Sequence, residues 1–353
     1  MSPGGPGDSV GIIVERCPNI EVAPIEWPNH GVLFWIMSRK RVGHRFNYTF
    51  LETACYTGIC LYWGKIMARI HILGAGTPTP TPTRYGSSFV LEIGGEKIMI
   101  DCGPATTHKL VKAGLWPTEI DYLFFTHNHF DHDVDYTCFL LTRWDQSIGK
   151  ENLLQVFGPT LTEQLTHRIM DEHDGAFAHD WIARVNHPAS QQVYVNRGGS
   201  PPRLPPEVSA KDIKSGKIFS GKNWEISGAD AVHVQPYLDS LAYRIDTDEG
   251  SVVFTGDTEP CESVRELAQG ADVMFAMCWD EEESMLRGGE QHGVMGTISA
   301  ARLAQDAGVK KLVLSHVGKN LDTHGVMEKG IGQAKANFEG ELVYSEELMS
   351  LEI

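Results

Sequence analysis

The sequence predicts an α/β protein of four layers, two β-sheets packed face to face with helices on the outer sides (αβ/βα). Three observations carry that expectation. From Met67 onward, strand-like and helix-like runs succeed one another in both halves of the chain, a pattern that demands sheets covered by helices. Tyr122 to Phe125 form a short apolar run of the kind a buried strand requires. Histidine and aspartate side chains stand just beyond predicted strand ends in both halves.

The elements follow in order. Strands are predicted at 70–73, 88–93 and 97–100, the last ending at Asp101. A helix is predicted at 106–113, with Gly114 as its stop and Pro117 beyond. Gly74-Ala75-Gly76 has two glycines of a dinucleotide fingerprint but lacks the third. The Thr-Pro repeat from Thr77 to Thr83 cannot open a helix, so a Rossmann unit is not expected. After Phe125 a helix at 134–145, a strand at 154–157 and a helix at 161–170 are predicted. The stretch 171–223, with Pro188, Pro201, Pro202, Pro205 and Pro206, reads as an irregular insertion. Strands at 224–226, 231–233, 241–245 and 251–255 come next, then helix 261–269, strand 272–275, helix 298–306, strand 311–315, helix 327–337 and strand 342–344.

Residues 1–66 carry no sustained period of 2 or 3.6 and include the basic cluster Arg39-Lys40-Arg41. They read as an N-terminal extension, poorly ordered or not normally translated, ahead of a functional domain at 67–353. The net charge of −16 is uneven: 1–66 contribute +1 and the remainder −17. So acidic a body disfavours a polyanionic partner and suits small or neutral substrates better. No run approaches 18 apolar residues, and the first residues lack the basic start and apolar core of a signal peptide. The seven cysteines (17, 55, 60, 102, 138, 261 and 278) show no pairing pattern and fit reduced thiols in a cytoplasmic protein.

The chemistry concentrates in Thr126-His127-Asn128-His129-Phe130-Asp131-His132. If the segment stays extended, positions 127, 129 and 131 share one face. Imidazole and carboxylate donors so crowded suit zinc, with iron or manganese as alternatives. The bland reading is a solvated polar loop, but with 15 histidines in 353 residues three in six positions is not a chance spacing. His233, Asp257 and His316 stand at later strand ends, making seven donors, enough for two metals bridged by a carboxylate. His173, His179 and His187 sit among acidic residues and read as a solvated loop.

His127-x-His129-x-Asp131-His132, the lone His233, Gly256-Asp257-Thr258 and Ser315-His316 appear in an order that resembles the metallo-β-lactamase superfamily. The resemblance implies the four-layer αβ/βα metallo-β-lactamase sandwich and two zinc ions. It implies that His127, His129 and His233 hold one metal, Asp131, His132 and His316 the other, and that Asp257 bridges them. Asp101 resembles the family's aspartate that orients the ligand loop from behind. The segment from Gly74 to Ser88 and the run from Ala307 to His316 resemble the tRNase Z and phosphodiesterase branch.

The departures are specific. Only 24 residues separate His233 from Asp257, so the tRNA-gripping arm of tRNase Z is missing, and the extra length lies between His132 and His233. Ala276 to Trp279 and Met295 to Thr297 replace the motifs that supply its glutamate and histidine. This argues against tRNA 3′ processing. The resemblance implies a hydrolase using a metal-bridging hydroxide, held in line by Asp131, on phosphodiester-type or small-molecule substrates. His292 is the candidate acid, with a loop role as its alternative. Lactone, β-lactam or arylsulfate esters are the rival substrates, and a non-catalytic metal-binding module is the rival class. Relatives often pair, which leaves room for a homodimer; no membrane partner is implied.

Overall fold

The structure is a computed structural model that describes residues 68–148 and 153–353 throughout. Before them it describes the backbone of five short strands: β1 (Ile20–Pro24), β2 (Phe34–Val42), β3 (Arg45–Leu51), β4 (Cys55–Tyr56) and β5 (Ile59–Cys60). The chain divides into two compact units, Met1–Ile66 and Met67–Ile353. In the first, β1, β2 and β3 form an antiparallel sheet, and β4 pairs with β5. The rest of that unit, and with it the expectation of a poorly ordered extension, lies outside the described residues.

In the second unit, one seven-stranded sheet contains β6 (Arg69–Ala75), β7 (Ser87–Ile93), β8 (Glu96–Ile100), β9 (Tyr122–Phe124), β10 (Leu154–Gly158) and β11 (Val208–Asp212). The other contains β12 (Gly216–Ser220), β13 (Trp224–Asp230), β14 (Leu241–Thr247), β15 (Gly250–Phe254), β16 (Val273–Cys278), β17 (Lys311–Val317) and β18 (Glu341–Tyr344). The last strand, β19 (Ser350–Glu352), returns to the first sheet beside β6. Each sheet joins an antiparallel portion to a parallel one: β8, β9, β10 and β11 run parallel in the first, and β15 to β18 in the second. Parallel neighbours require crossovers, and helices supply most of them.

Side-chain alternation explains the layers. Along β9, Tyr122 and Phe124 enter the core between the sheets, while Leu123 and the following Phe125 face the outer helices. Phe89 of β7 meets Phe254 of β15 and Phe275 of β16 across the sheets, with ring centroids 5.3 and 5.1 Å apart. Fully burying each such ring contributes about 1.5–3 kcal/mol. On the outside of the first sheet lie α1 (Thr106–Lys112), α2 (Phe130–Asp133), α3 (Tyr136–Gln146) and α4 (Thr162–Met170). Two further helices follow, α5 (Ala178–Asn186) and α6 (Pro188–Asn196). The second sheet is covered by α7 (Glu262–Leu267), α9 (Thr297–Asp306) and α10 (Val326–Lys335), whose apolar faces form a separate core with Met274, Leu312 and Leu314. Between α7 and α9, α8 (Glu282–Gly288) belongs to the connection after β16.

The structure departs from the sequence expectations in three places. Positions 224–226 and 231–233 are not two strands: β13 runs unbroken to Asp230 and His233 lies in the loop beyond. Its inward side alternates Trp224, Ile226 and Gly228, and a glycine in the third place hides the period. The 171–223 stretch is not irregular, because it forms α5, α6, β11 and β12. Helix α5 buries Ala178 and Trp181, whereas α6 buries nothing and so has no apolar stripe to read. The predicted helix 134–145 begins two residues later, as α3, and a separate single turn, α2, precedes it at 130–133.

Glu281, just before α8, ties the connection between β16 and α9 to α10. Its carboxylate accepts from Gln333 at 2.6 Å, from Lys329 at 3.0 Å and from Ser284 at 3.1 and 3.2 Å. Burial by itself would raise its pKa, but hydrogen bonds from Lys329, Gln333 and Ser284 outweigh it and hold the group at about 2. A depressed carboxyl contributes stability above its unfolded value that is lost as pH falls toward the folded one. Glu281→Gln is therefore expected to cost about 2 kcal/mol in urea unfolding at neutral pH. The gap from the wild type should close between pH 4.5 and about 2.

Deleting residues 1–66 is expected to leave the Met67–Ile353 unit folded, with circular dichroism and unfolding midpoint unchanged. Aggregated or unfolded product would show that the first unit is required.

Candidate metal centre

The seven donors converge where the C-terminal ends of strands from both sheets meet. Strand β9 delivers Thr126 and His127 just past its end, the chain bends at Thr126, and the backbone of His129 is extended. At Phe130 it turns into α2, which carries Asp131 and His132 in its single turn. The turn changes the grouping that an extended reading implies. His127 and His129 lie together, with Nε2 of the first 2.9 Å from Nδ1 of the second, but Asp131 lies with His316, 3.1 Å from its Nε2.

Three overlapping groups have donor atoms within 4.8 Å of one another: His127, His129 and His233; Asp131, His132 and His316; and His127, His132 and Asp257. Asp257 stands between the first two. Its Oδ2 is 3.3 Å from His316, 3.8 Å from His233 and 4.0 Å from His127, and its Oδ1 is 3.5 Å from His132. His292 lies apart from these groups, with its side chain 95% exposed and Nδ1 3.9 Å from Glu259. Among the loop histidines, His187 accepts from the backbone N–H of Ala189 at the start of α6, and His179 stacks on Phe177. A separate exposed group joins His167, Asp171 and Asp174.

Hydrogen bonds behind the donors set their orientation. Asp101, at the end of β8 and 1% exposed, accepts from the Thr126 backbone N–H at 2.8 Å and pairs with His132 Nδ1 at 2.8 Å. The Thr126 hydroxyl lies 3.0 Å from Asp101 Oδ2 and 3.1 Å from His127 Nδ1, so it can donate to the carboxylate and accept from the imidazole. His233 Nδ1 donates to the Gly293 carbonyl at 2.6 Å. These partners favour a proton on Nδ1 of each ring and leave Nε2 facing the cluster. His129 is turned the other way and presents Nδ1.

The backbone is specialised at the same points. Asp101 and His316 adopt left-handed conformations, with φ of 59° and 51°, which cost a non-glycine residue about 1–3 kcal/mol. Gly103 admits no side chain, because a Cβ there would meet the Asp131 carbonyl oxygen at 2.1 Å.

Electrostatics reinforce the arrangement. Burial, with the neighbouring His132, drives the His127 pKa well below its ordinary value and keeps the ring neutral. Burial would raise Asp257, but His316, His132 and His127 hold it well below the carboxylate range. His132 is opposed by burial yet held well above its usual value by Asp101 and Asp257. His132 Nε2 and Asp257 Oδ1 are buried without a hydrogen-bond partner. Such atoms are costly unless something else satisfies them, and nitrogen and oxygen donors in overlapping triads fit divalent metal ions.

Two helix-covered sheets with a histidine–aspartate pocket at their shared strand ends define a metal-dependent hydrolase. The model of the metallo-beta-lactamase superfamily matches residues 81–316, and the chain belongs to that superfamily. It is 29% identical over 209 residues to ribonuclease Z of Mycobacterium avium (strain 104), covering 59% of this chain and 69% of the relative. The metallo-beta-lactamase fold protein YhfI from Bacillus subtilis superposes with a TM-score of 0.62 at 19% identity, covering 81% of this chain and all of that one. Human tRNase Z, short form, gives 0.55 at 18%, covering 81% and 99%. Within this branch-like resemblance, the segment between His233 and Asp257 holds a turn and the hairpin β14–β15, with no arm.

Sequence reasoning did not single out Thr126 or Gly293. Thr126 had a signal, standing between an apolar strand and the first histidine. A backbone carbonyl such as that of Gly293 has none.

Asp101→Asn keeps one acceptor oxygen for two donors, so its NH2 group must face either His132 Nδ1–H or the Thr126 backbone N–H. The variant is expected to lose about 3 kcal/mol of stability in urea unfolding of chelator-treated protein. A loss under about 0.5 kcal/mol, the size of an ordinary surface change, would deny Asp101 its orienting role.

Proposed function

We propose that this chain is a binuclear zinc-dependent hydrolase of small phosphodiester-type substrates, using a hydroxide that bridges the two ions. The observation that carries the reading is the position of Asp257, whose carboxylate lies 3.3–4.0 Å from imidazoles of both donor groups. His127, His129 and His233 would hold one ion, Asp131, His132 and His316 the other, and Asp257 would bridge. Bound there, the pair would supply a water acidified to a pKa of about 7 and a Lewis acid for the substrate oxygen. Iron or manganese would suit the same donors.

The protein's own residues divide the remaining work. Asp101, Thr126 and the Gly293 carbonyl keep Nδ1 protonated on His132, His127 and His233, so that Nε2 is available. Asp131, 1% exposed and within 3.1 Å of His316, is positioned to accept a hydrogen bond from the attacking water. His292, exposed and next to Gly293 in the chain, would protonate a leaving group.

Relatives named ribonuclease Z support a phosphodiester substrate. The missing arm and the −17 charge of residues 67–353 favour a small substrate over tRNA. The same two observations favour a second reading, a lactone, β-lactam or arylsulfate ester.

Purified protein assayed on a bis(aryl) phosphate, a lactone, a β-lactam and an arylsulfate is expected to hydrolyse the phosphodiester fastest. Chelation should abolish activity and zinc restore it. Asp257→Ala is expected to reduce kcat at least about 100-fold, as removing a metal-fixing group does. Faster turnover of a carbon or sulfate ester would move the substrate to the second reading. Undiminished activity in Asp257→Ala would remove the mechanism.

A further inference from the structure

We infer that Glu259 is a positioning residue that acts on His233 through the backbone of Gly293. The three form a continuous chain of hydrogen bonds. The Gly293 N–H donates to Glu259 Oε2 at 2.8 Å, and the carbonyl of the same glycine accepts from His233 Nδ1 at 2.6 Å. One residue of a connecting loop is therefore held on its amide side by Glu259 and on its carbonyl side by His233. His233 Nε2, at the far side of the ring, points to His129 at 3.2 Å.

The surrounding geometry makes the clamp necessary. The connection between β16 and α9 is secured at its ends, where Trp279 N–H donates to the Met295 carbonyl and Trp279 Nε1 to Glu290. Between Glu290 and Met295 the described hydrogen bonds to the rest of the protein are those of Gly293. Gly293 has φ +75°, and a Cβ on it would lie 2.2 Å from the His233 carbonyl oxygen. The position accepts only glycine, whose backbone is the least restrained of any residue. A carbonyl that must stay within hydrogen-bond reach of an imidazole cannot depend on such a residue alone.

Glu259 is well placed to supply the restraint. Its own N–H donates to the Val232 carbonyl at 2.8 Å, and the preceding Thr258 hydroxyl accepts from the Val232 N–H at 3.0 Å. The segment Asp257-Thr258-Glu259 thus fixes the backbone beside His233, reaches its acceptor, and carries the carboxylate between the two donor groups. A histidine whose other nitrogen is held by a fixed acceptor is both a better oriented and a more basic ligand.

The inference rests on the binuclear reading for its zinc measurement, but its first measurement needs no metal. Glu259→Leu removes the acceptor, whereas the amide oxygen of Glu259→Gln can still take the Gly293 N–H. In chelator-treated protein at about pH 8, where an ordinary imidazole is neutral, long-range proton–nitrogen NMR reads the His233 tautomer. Wild type and Glu259→Gln are expected to carry the proton on Nδ1, and Glu259→Leu to show a mixture. In zinc titrations against a chromophoric chelator, Glu259→Leu should weaken one of two sites about 10- to 100-fold, with Glu259→Gln within about threefold of wild type. Glu259→Ala, shorter and partly solvent-facing, serves the same comparison if the leucine variant does not fold. Identical tautomers in all variants, or equal loss of zinc affinity in Glu259→Gln and Glu259→Leu, would overturn the inference. Wild type that keeps the Nδ1 proton yet binds no zinc would overturn the proposed function and leave the clamp standing.

Discussion

The Asp101 carboxylate is the constraint on which the site depends. It is buried at the end of β8, in a left-handed backbone conformation, and reaches sideways to the end of β9. There it accepts the Thr126 N–H with one oxygen and meets His132 Nδ1 with the other. A charged acceptor so deeply buried is tolerated only because its partners satisfy it. Those partners are the residue that precedes the histidine run and one histidine within it. The interaction therefore sets where the run leaves the strand and how its rings face, and Thr126 passes the orientation on to His127.

The two sheets contribute unlike parts to one centre. The first supplies His127, His129, Asp131 and His132 within six residues, so a strand end and one helical turn settle their mutual geometry. The second supplies His233 and Asp257 from two separate connections and His316 from the end of β17, each needing its own support. His233 takes it from Gly293, and Gly293 from Glu259. His316 takes its direction from a left-handed φ of 51° within β17. The aromatic contacts between the sheets, Phe89 with Phe254 and Phe275, hold the two contributions at a fixed separation. A shift of one sheet against the other would break that packing before it opened the site.

Legibility followed chemistry. Histidines and aspartates at strand ends are sparse, so His127, His129, Asp131, His132, His233, Asp257 and His316 were readable as a set, and the structure brings all seven together. The layer order was readable as well, because apolar runs such as Tyr122 to Phe125 leave few alternatives. What the pattern concealed was local. The turn into α2 moved Asp131 away from the face of His127 and His129, since an extended period of two ends wherever a helix begins. Helix α6 buries no residue, and β13 spends an inward position on Gly228, so neither leaves a periodic trace. Glu259 and Gly293 were invisible for another reason: the contacts that join them to His233 run through a backbone amide and carbonyl, which no side-chain motif records.

Anomalous scattering from a zinc-loaded crystal, recorded at the zinc edge, tests the central claim most directly. The account predicts two peaks about 3.5–4 Å apart, one enclosed by His127, His129 and His233, the other by Asp131, His132 and His316, with Asp257 between them. A single peak, or none within reach of these side chains, would contradict it.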